Sequence, residues 1–264
     1  MNLHPLNRDF TWLPSTPPYD LLSRAQARQY DEDGYFLFEN AFTNDEMDAV
    51  ALAIDPYEQK VEAQLRAAGG TISIARADEI TFTVHLVKRS EVLRNFSHHQ
   101  VFQGISRDTL GPGARLYWDQ AVYKKPGNPQ DFPWHQDNGY TFVEPQQYLT
   151  CWVALNDATP ENGCPWVVPG LHRLGTLKHD LTPLGWQCLD KPADAVPVPA
   201  RKGDIVVFSS LTPHRTGPNL TSGVRKSYIL QYAPDGALVF LAGAAEGVSQ
   251  DDPDRQYFVE AAPT

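Results

Sequence analysis

Two polar side chains, His135 and Asp137, stand two residues apart in the segment PWHQDNGY at 133–140. In an extended strand, residues i and i+2 point to the same face, so this spacing predicts that both side chains look into one space. A neutral imidazole and a carboxylate in that arrangement can hydrogen-bond to each other, or they can hold a metal ion. The pair by itself leaves both alternatives open.

A second histidine, His214, follows the apolar run IVVF at 205–208 and Pro213. If a late strand brings His214 to the same cavity as His135 and Asp137, the three make a 2-His-1-carboxylate set. Such a set binds Fe(II) on one face and leaves the opposite face open for substrates and O2. These three residues are therefore candidate metal ligands and the candidate catalytic centre.

Arg225 heads an apolar, β-prone run at 224–233. A buried guanidinium without a partner is costly, and its fork geometry suits a carboxylate held by two hydrogen bonds. A small dicarboxylic co-substrate that chelates iron at one end would present its other carboxylate to Arg225. Thr216, two residues after His214, could add a hydroxyl donor. The alternatives are a structural salt bridge for Arg225 and a hydroxyl that caps its own turn for Thr216.

These residues need a scaffold that brings distant segments together. From about Arg115, short β-prone runs recur between Pro and Gly turns, which predicts an antiparallel barrel or jelly roll. The predicted strands lie at 115–124, 148–155, 165–170, 204–210 and 224–233.

The first part of the chain carries helical patterns instead. Ser23 is predicted to cap a helix over 24–33 that ends before Gly34. A longer pattern at 46–70 is expected to break or kink at Pro56, and one helical segment is expected around 90–110. We expect a single domain over 1–264. Its parts are an extended arm at 1–20, a mostly helical cover at 21–112, a jelly-roll core at 113–235 and a C-terminal segment at 236–264.

Composition limits the function class. The 264 residues are 42% hydrophobic and 20% charged, with a net charge of −10, which argues against a nucleic-acid partner and against binding to an anionic membrane. Three cysteines without CxxC spacing indicate reduced, mostly structural thiols. Without a secretory signal or a spanning segment, we expect a cytoplasmic protein with a small-molecule substrate. The oligomeric state leaves no signal in the sequence.

An ordered set of motifs resembles the phytanoyl-CoA dioxygenase family. The early segment EDGYFLFENAFTNDEM at 32–47 extends the resemblance over nearly the whole chain. The motifs are HQD at 135–137, ENGCPWVVPGLH at 161–172, KGDIVVF at 202–208, PHRTGPN at 213–219 and VRKS at 224–227.

The resemblance implies a mainly β fold with flanking helices around a double-stranded β-helix, the cupin-like jelly roll. It implies an Fe(II)- and 2-oxoglutarate-dependent dioxygenase that uses O2 to hydroxylate a C–H bond of a small metabolite, releasing succinate and CO2. His135, Asp137 and His214 would bind the iron. Arg225 and Thr216 would hold the distal carboxylate of 2-oxoglutarate. Gln120 and Trp152 would form the wall beside it.

Several alternatives stay open. A cupin-like metal dioxygenase without 2-oxoglutarate and a catalytically silent binding relative are the competing functions. The substrate could be a CoA ester or a free metabolite, and we favour the free metabolite. Desaturation would use the same centre as hydroxylation. His85 could face the pocket or the core, whereas a structural role is favoured for His172.

Overall fold

The computed structural model of the chain, which describes residues 1–241, 243–244 and 246–259, is built around an eight-stranded antiparallel sheet. In chain order its strands are β1 (Tyr35–Phe38), β2 (Thr71–Ile72), β3 (Ala75–Arg76), β4 (Ile80–Val84), β5 (Ala114–Lys124), β7 (Leu149–Ala154), β12 (Ile205–Ser209) and β14 (Arg225–Pro234). Across the sheet the strand order is β1-β12-β7-β14-β5-β4-β3-β2.

Three smaller antiparallel sheets complete the β-structure of the described residues. Their strands are β6 (Phe142–Glu144), β8 (Pro165–Val167), β9 (Asp180–Thr182), β10 (Gly185–Gln187), β11 (Val196–Pro197), β13 (His214–Thr216), β15 (Leu238–Phe240) and β16 (Val248–Ser249). The strand orders in the three sheets are β11-β8-β13, β16-β15-β6 and β10-β9.

Side chains along the central strands point alternately to the two faces of the large sheet. One face is covered by the helices and the other is the inner face. On β14, Tyr228 and Leu230 join the main core with the helices, whereas Ile229 joins a second core with Trp152 of β7 and Val122 of β5. Burying a large apolar side chain contributes about 1.5–3 kcal/mol, so both faces are fixed strongly. A one-residue slip would exchange the two faces. Position on a strand therefore decides which residues reach the inner side.

Four helices lie in the first part of the chain: α1 (Arg24–Asp33), α2 (Asn44–Ala67), α3 (Glu91–Ser97) and α4 (Gln100–Leu110). The predicted start and end of α1 are confirmed. The Ser23 hydroxyl accepts from the backbone N–H of Gln26, and Gly34 ends the helix in the left-handed region at φ 82°. A Cβ at Gly34 would lie 2.5 Å from Nδ1 of His172, so glycine is required there on two grounds.

Of the break or kink expected at Pro56, the break is wrong, because α2 runs through this proline as one helix. Its apolar side, including Met47, Val50 and Ile54, is buried in the main core. The helix also begins with a capping box formed by Thr43 and Glu46. Packing and capping together outweigh the roughly 3 kcal/mol that an interior proline costs.

The single helical segment expected around 90–110 is also wrong in detail, because α3 and α4 are separate helices. His98 ends α3, and His99 takes an extended backbone conformation in which its side chain accepts from the N–H of Val101. His99 therefore caps the start of a new helix at a point where the apolar pattern predicted that one helix would continue.

The observed architecture confirms the predicted fold class, a mainly β jelly-roll core of the double-stranded β-helix type with flanking helices. Strands β1 to β4, from within the first part of the chain, widen the large sheet at both of its edges. None of the described helices is long and apolar enough to cross a membrane.

Candidate metal centre and cavity

His135 and His214 meet at the backbone. The two residues form an isolated antiparallel bridge, in which His135 N donates to His214 O at 2.9 Å and His214 N donates to His135 O at 2.8 Å. His214 opens β13, which pairs with β8, and His135 precedes a short 3-10 turn. Two segments that are distant in sequence are thereby held in register.

Each imidazole has its tautomer set by a backbone carbonyl. Nδ1 of His135 lies 2.8 Å from Pro133 O, and Nδ1 of His214 lies 3.0 Å from Thr212 O. A carbonyl can only accept, so both Nδ1 atoms carry the proton and both Nε2 atoms keep a free lone pair. In metal-binding histidines, the ring nitrogen that does not bind the metal usually donates to such a carbonyl.

Asp137 completes the cluster. Its Oδ1 lies 4.0 Å from Nε2 of His135 and 3.7 Å from Nε2 of His214. Among the described residues, these form the single group of three His, Cys, Asp or Glu side chains whose ligand atoms lie within 4.8 Å of one another. The distance of 4.0 Å rules out a direct hydrogen bond between His135 and Asp137. Of the two alternatives for this pair, the metal site fits the geometry.

Asp137 does not continue a strand, as the spacing had suggested. It opens a 3-10 turn over Asp137–Gly139, in which Tyr140 N donates to Asp137 O. The carboxylate is aimed instead by Thr150 on β7, whose hydroxyl donates to Oδ2 at 2.6 Å. Gln231 on β14 donates in turn to the Thr150 hydroxyl at 3.3 Å. Oδ2 is thus engaged, and Oδ1 faces the two histidines.

Burial shifts the protonation of the cluster. Removal from water lowers the pKa of His135 to about 3 and that of His214 to about 4, so both imidazoles are neutral at neutral pH. Neutral imidazole is the form that binds a metal. Burial also raises the pKa of Asp137. A divalent cation beside the carboxylate would favour its ionised form.

A buried polar network that the motifs did not reveal holds the turn. The Gln136 side chain donates to Gly175 O and Leu211 O and accepts from Leu177 N. Gln136 N donates to Nε2 of His179 at 2.9 Å. His179 therefore positions the backbone of the HQD segment and has no free ring nitrogen for a metal, because its Nδ1 contacts Leu177 O. This argues against a site of three or four histidines.

The cluster opens onto a cavity of about 650 Å³ between the inner face of the large sheet, α2 and the β2–β3 hairpin. Gln120, Trp152 and Thr216 all line this cavity, as do His135, Asp137 and His214. Thr216 shares a face of β13 with His214, since the two residues are separated by two positions on the strand. Three of the four residues expected beside the co-substrate therefore border the same space as the candidate metal ligands.

Arg225 lies behind this wall and is fully buried. Its Nη1 donates to the Ser227 hydroxyl at 2.5 Å, and its guanidinium carbon lies 5.2 Å from the ring centroid of Trp152. Its Nε and Nη2 atoms are buried without a partner. Among the described residues no carboxylate pairs with it, so the structural salt bridge is wrong. Burial lowers the pKa of Arg225 to about 10.

Lys124, another buried cation next to Arg225, was not singled out by the motifs. Its Nζ donates to three backbone carbonyls, those of Gln130, Thr216 and Gly217. It therefore fixes the backbone of the Thr216 segment. Removal from water, with a smaller contribution from Arg225, lowers the pKa of Lys124 to about 7.

The two histidines left open by the sequence lie outside the cavity lining that the structure describes. His172 is buried, with its ring edge-on to Trp12 at 4.4 Å, which confirms its structural role. His85 takes a left-handed backbone conformation and packs edge-on against Trp118, also at 4.4 Å.

The donors and the cation fit the groups that the resemblance implies. Two free Nε2 atoms and one carboxylate oxygen converge as a facial ligand set for Fe(II) would require. A buried guanidinium with Nε and Nη2 unpaired is matched to a carboxylate that accepts two parallel hydrogen bonds.

Comparison with known proteins decides the family. The sequence model of the phytanoyl-CoA dioxygenase family (PhyH) matches residues 30–227 of the 264. This range takes in all three residues of the cluster and Arg225. The chain belongs to the phytanoyl-CoA dioxygenase family.

Two curated relatives illustrate the range of the family. A methylphosphonate hydroxylase from Gimesia maris is 38% identical over 128 residues, which span 47% of this chain and 46% of that protein. A probable phytanoyl-CoA dioxygenase from Caenorhabditis elegans is 28% identical over 254 residues, 88% of this chain and 81% of that protein. The match to the hydroxylase thus covers about half of each chain.

Among solved structures, the epimerase SnoN in complex with Fe3+, alpha-ketoglutarate and nogalamycin RO has a TM-score of 0.71. It is 21% identical and covers 89% of this chain and 98% of its own, so the likeness concerns the fold. The family assignment and the fold confirm the enzyme class predicted from the motifs, a 2-oxoglutarate-dependent non-haem iron oxygenase.

Proposed function

We propose that this protein hydroxylates a C–H bond of a small molecule, using Fe(II), 2-oxoglutarate and O2. In the balanced reaction, substrate R–H, O2 and 2-oxoglutarate give R–OH, succinate and CO2. The observation that carries the proposal is the convergence of Nε2 of His135, Nε2 of His214 and Oδ1 of Asp137 at the wall of an apolar cavity. Membership of an iron- and 2-oxoglutarate-dependent family supports it.

In this proposal, His135, Asp137 and His214 hold the iron. Pro133 O and Thr212 O keep the two imidazoles in the ligating tautomer, and Thr150 orients the carboxylate. When bound, iron supplies the activation of O2 that no side chain of the protein can provide. Because the three protein ligands lie on one side, the other side remains for the co-substrate, O2 and the substrate.

Arg225 and Thr216 hold the distal carboxylate of 2-oxoglutarate in this proposal. Two buried N–H groups of Arg225 are unpaired, and a carboxylate in front of them would satisfy both. Trp152, which lines the cavity and contacts the guanidinium, forms the wall together with Gln120. Lys124 donates to the backbone carbonyl of Thr216 and is therefore already engaged. The guanidinium of Arg225 is then the cation that recognises the distal carboxylate.

The remaining task of the chain is to exclude water and to position the substrate. The apolar side chains of the wall keep bulk water from the reacting C–H bond, which limits side reactions. We also propose a cytoplasmic location, supported by three free cysteines, two of which are buried.

The experiment that tests this function is an anaerobic titration of the Fe(II)-loaded protein with 2-oxoglutarate. A weak visible charge-transfer band reports chelation of the co-substrate by iron. Appearance of the band, followed by succinate release in the presence of O2 and a substrate, is the expected result. Iron binding without the band would favour a cupin-like dioxygenase that does not use 2-oxoglutarate. Absence of iron binding would favour a catalytically silent relative.

A further inference from the structure

The cavity wall around the metal centre is mainly aliphatic and aromatic. The β2–β3 hairpin contributes Ile72 and Ile74, β4 contributes Phe82 and Val84, and the inner face of the sheet contributes Val122 and Ile229. A cavity of about 650 Å³ lies in the range that takes a drug-sized ligand. The size and the apolar wall together favour a substrate that gains affinity from buried carbon surface.

No lysine or arginine of the described chain lines this cavity. Its ionisable lining consists of Asp137, the two ligating histidines and three tyrosines. Phenols are neutral at neutral pH, and burial raises the pKa of Tyr117 further, to about 12. A substrate in the cavity would therefore meet neutral hydrogen-bonding groups but no protein cation.

The loaded centre leaves no charge to recruit an anionic substrate. The two positive charges of Fe(II) and the one on Arg225 are offset by Asp137 and by the two carboxylates of 2-oxoglutarate. The ammonium of Lys124 is already held by three backbone carbonyls and lies outside the cavity lining. A further buried anion would stand uncompensated, at a cost of several kcal/mol.

Two cations that flank the wall in sequence are already engaged. Arg66, next to Leu65 of the lining, pairs with Glu62 at 3.1 Å and with Asp78 at 2.5 Å. Arg76, the last residue of β3, donates to Pro183 O at 2.8 Å. These contacts leave no ready site for a phosphate or carboxylate group at this part of the rim.

We infer that the substrate is a neutral, largely apolar molecule of drug-like size, and that small phosphonates and free carboxylates are rejected. This inference rests on the proposed function. It also separates the protein from the methylphosphonate hydroxylase it partly resembles, whose substrate, as its name states, is a small anion. The highly charged CoA half of an acyl-CoA would meet no cation in the cavity lining, so it would add little to the affinity.

A series with one carbon skeleton and three charge states tests the inference. Methyl 2-naphthoate, 2-naphthoate and 2-naphthoyl-CoA, with methylphosphonate as a fourth ligand, are titrated calorimetrically into the anaerobic Fe(II)–2-oxoglutarate protein. We expect the ester to bind at least about tenfold more tightly than any of the anions. Its heat-capacity change should be negative, which marks burial of apolar surface.

A cation introduced at the rim should shift this preference. Ile72 lines the cavity and is 50% exposed, so Ile72→Lys is expected to fold and to bring 2-naphthoate to within a few-fold of the ester. The matched control is Leu52→Lys on α2, at a residue that is 74% exposed and outside the cavity lining. This control should keep the wild-type preference.

Two failures can be told apart in the same sample. If the visible band of chelated 2-oxoglutarate is missing, the proposed function fails. If the band is intact but an anion binds as tightly as the ester, or the ester does not bind, the substrate inference is overturned while the function stands.

Discussion

His135 and His214 exchange both of their backbone hydrogen bonds, at 2.9 and 2.8 Å, and their imidazole centroids lie 4.2 Å apart. Because the main chain makes this bridge, the spacing of the two rings does not depend on a bound ion. Each ring is then oriented by a carbonyl two residues before it in sequence. Such preorganisation means that a metal would not have to gather its ligands.

Thr150→Val should weaken metal binding by roughly 10–100-fold, the usual effect of removing an outer partner of a ligand. The substitution keeps the size of the side chain but removes the donor to Oδ2 of Asp137, which is 2.6 Å away. Competition with a chelator under anaerobic conditions measures the Fe(II) affinity.

The matched control for Thr150→Val is Thr109→Val on α4, where a buried hydroxyl donates to Ile105 O instead of to a ligand. This control should leave the iron affinity unchanged. Equal iron affinities for the two variants would contradict the orienting role of Thr150.

Arg225→Met should raise the Kd for 2-oxoglutarate about 30-fold or more while leaving iron binding intact. Loss of a buried, charge-assisted pair costs about 2–5 kcal/mol. The anaerobic titration of the visible band measures this Kd directly. Lys226→Met serves as the control, since Lys226 follows Arg225 on the same strand but pairs with Asp55 at 2.8 Å. A similar change in both variants would count against specific recognition by Arg225.

The three residues of the candidate metal centre, and also Arg225, could be singled out from the sequence because buried segments rarely carry such side chains without a reason. Their distances were not predictable. The bridge between His135 and His214 is a long-range contact, and local periodicity contains no information on which strands become neighbours. The family motifs supplied that link.

Residues that orient the site were missed for a different reason. Thr150 occupies a buried strand, where a β-branched residue is expected anyway, and its hydroxyl gives no local signal. The turn at Asp137 depends on hydrogen bonds from Gln136 and Asn138 to partners far along the chain. The i, i+2 spacing therefore predicted correctly that His135 and Asp137 face the same space. It predicted a strand, however, whereas Asp137 opens a 3-10 turn.

Gly139→Ala should destabilise the protein by about 1–3 kcal/mol and weaken iron binding, because a Cβ at Gly139 would lie 2.0 Å from Cε1 of His179. Moving His179 would remove the acceptor of Gln136 N, the amide between His135 and Asp137. Urea denaturation and chelator competition measure the two effects.

Gly223→Ala is the matched control for Gly139→Ala, since a Cβ at Gly223 has no described atom within 4 Å. It should leave stability unchanged or raise it by about 0.4–1 kcal/mol. A Gly139→Ala protein as stable as this control would show that the turn can adapt.

Asp119→Asn should change how stability depends on pH. Burial raises the pKa of Asp119 from 3.8 to about 6, although its Oδ2 accepts from Leu86 N at 2.7 Å and from the Tyr228 hydroxyl at 3.0 Å. Between these values the folded protein holds a proton that the unfolded chain releases, so the wild type loses stability as pH rises from about 4 through 6. The loss is on the order of 3 kcal/mol.

Asparagine has no proton to lose at this position and can still accept from the amide and the phenol, so the variant should lack this part of the slope. Urea denaturation at pH 4.5 and pH 7 compares the two proteins, and parallel pH profiles would refute the assignment to Asp119.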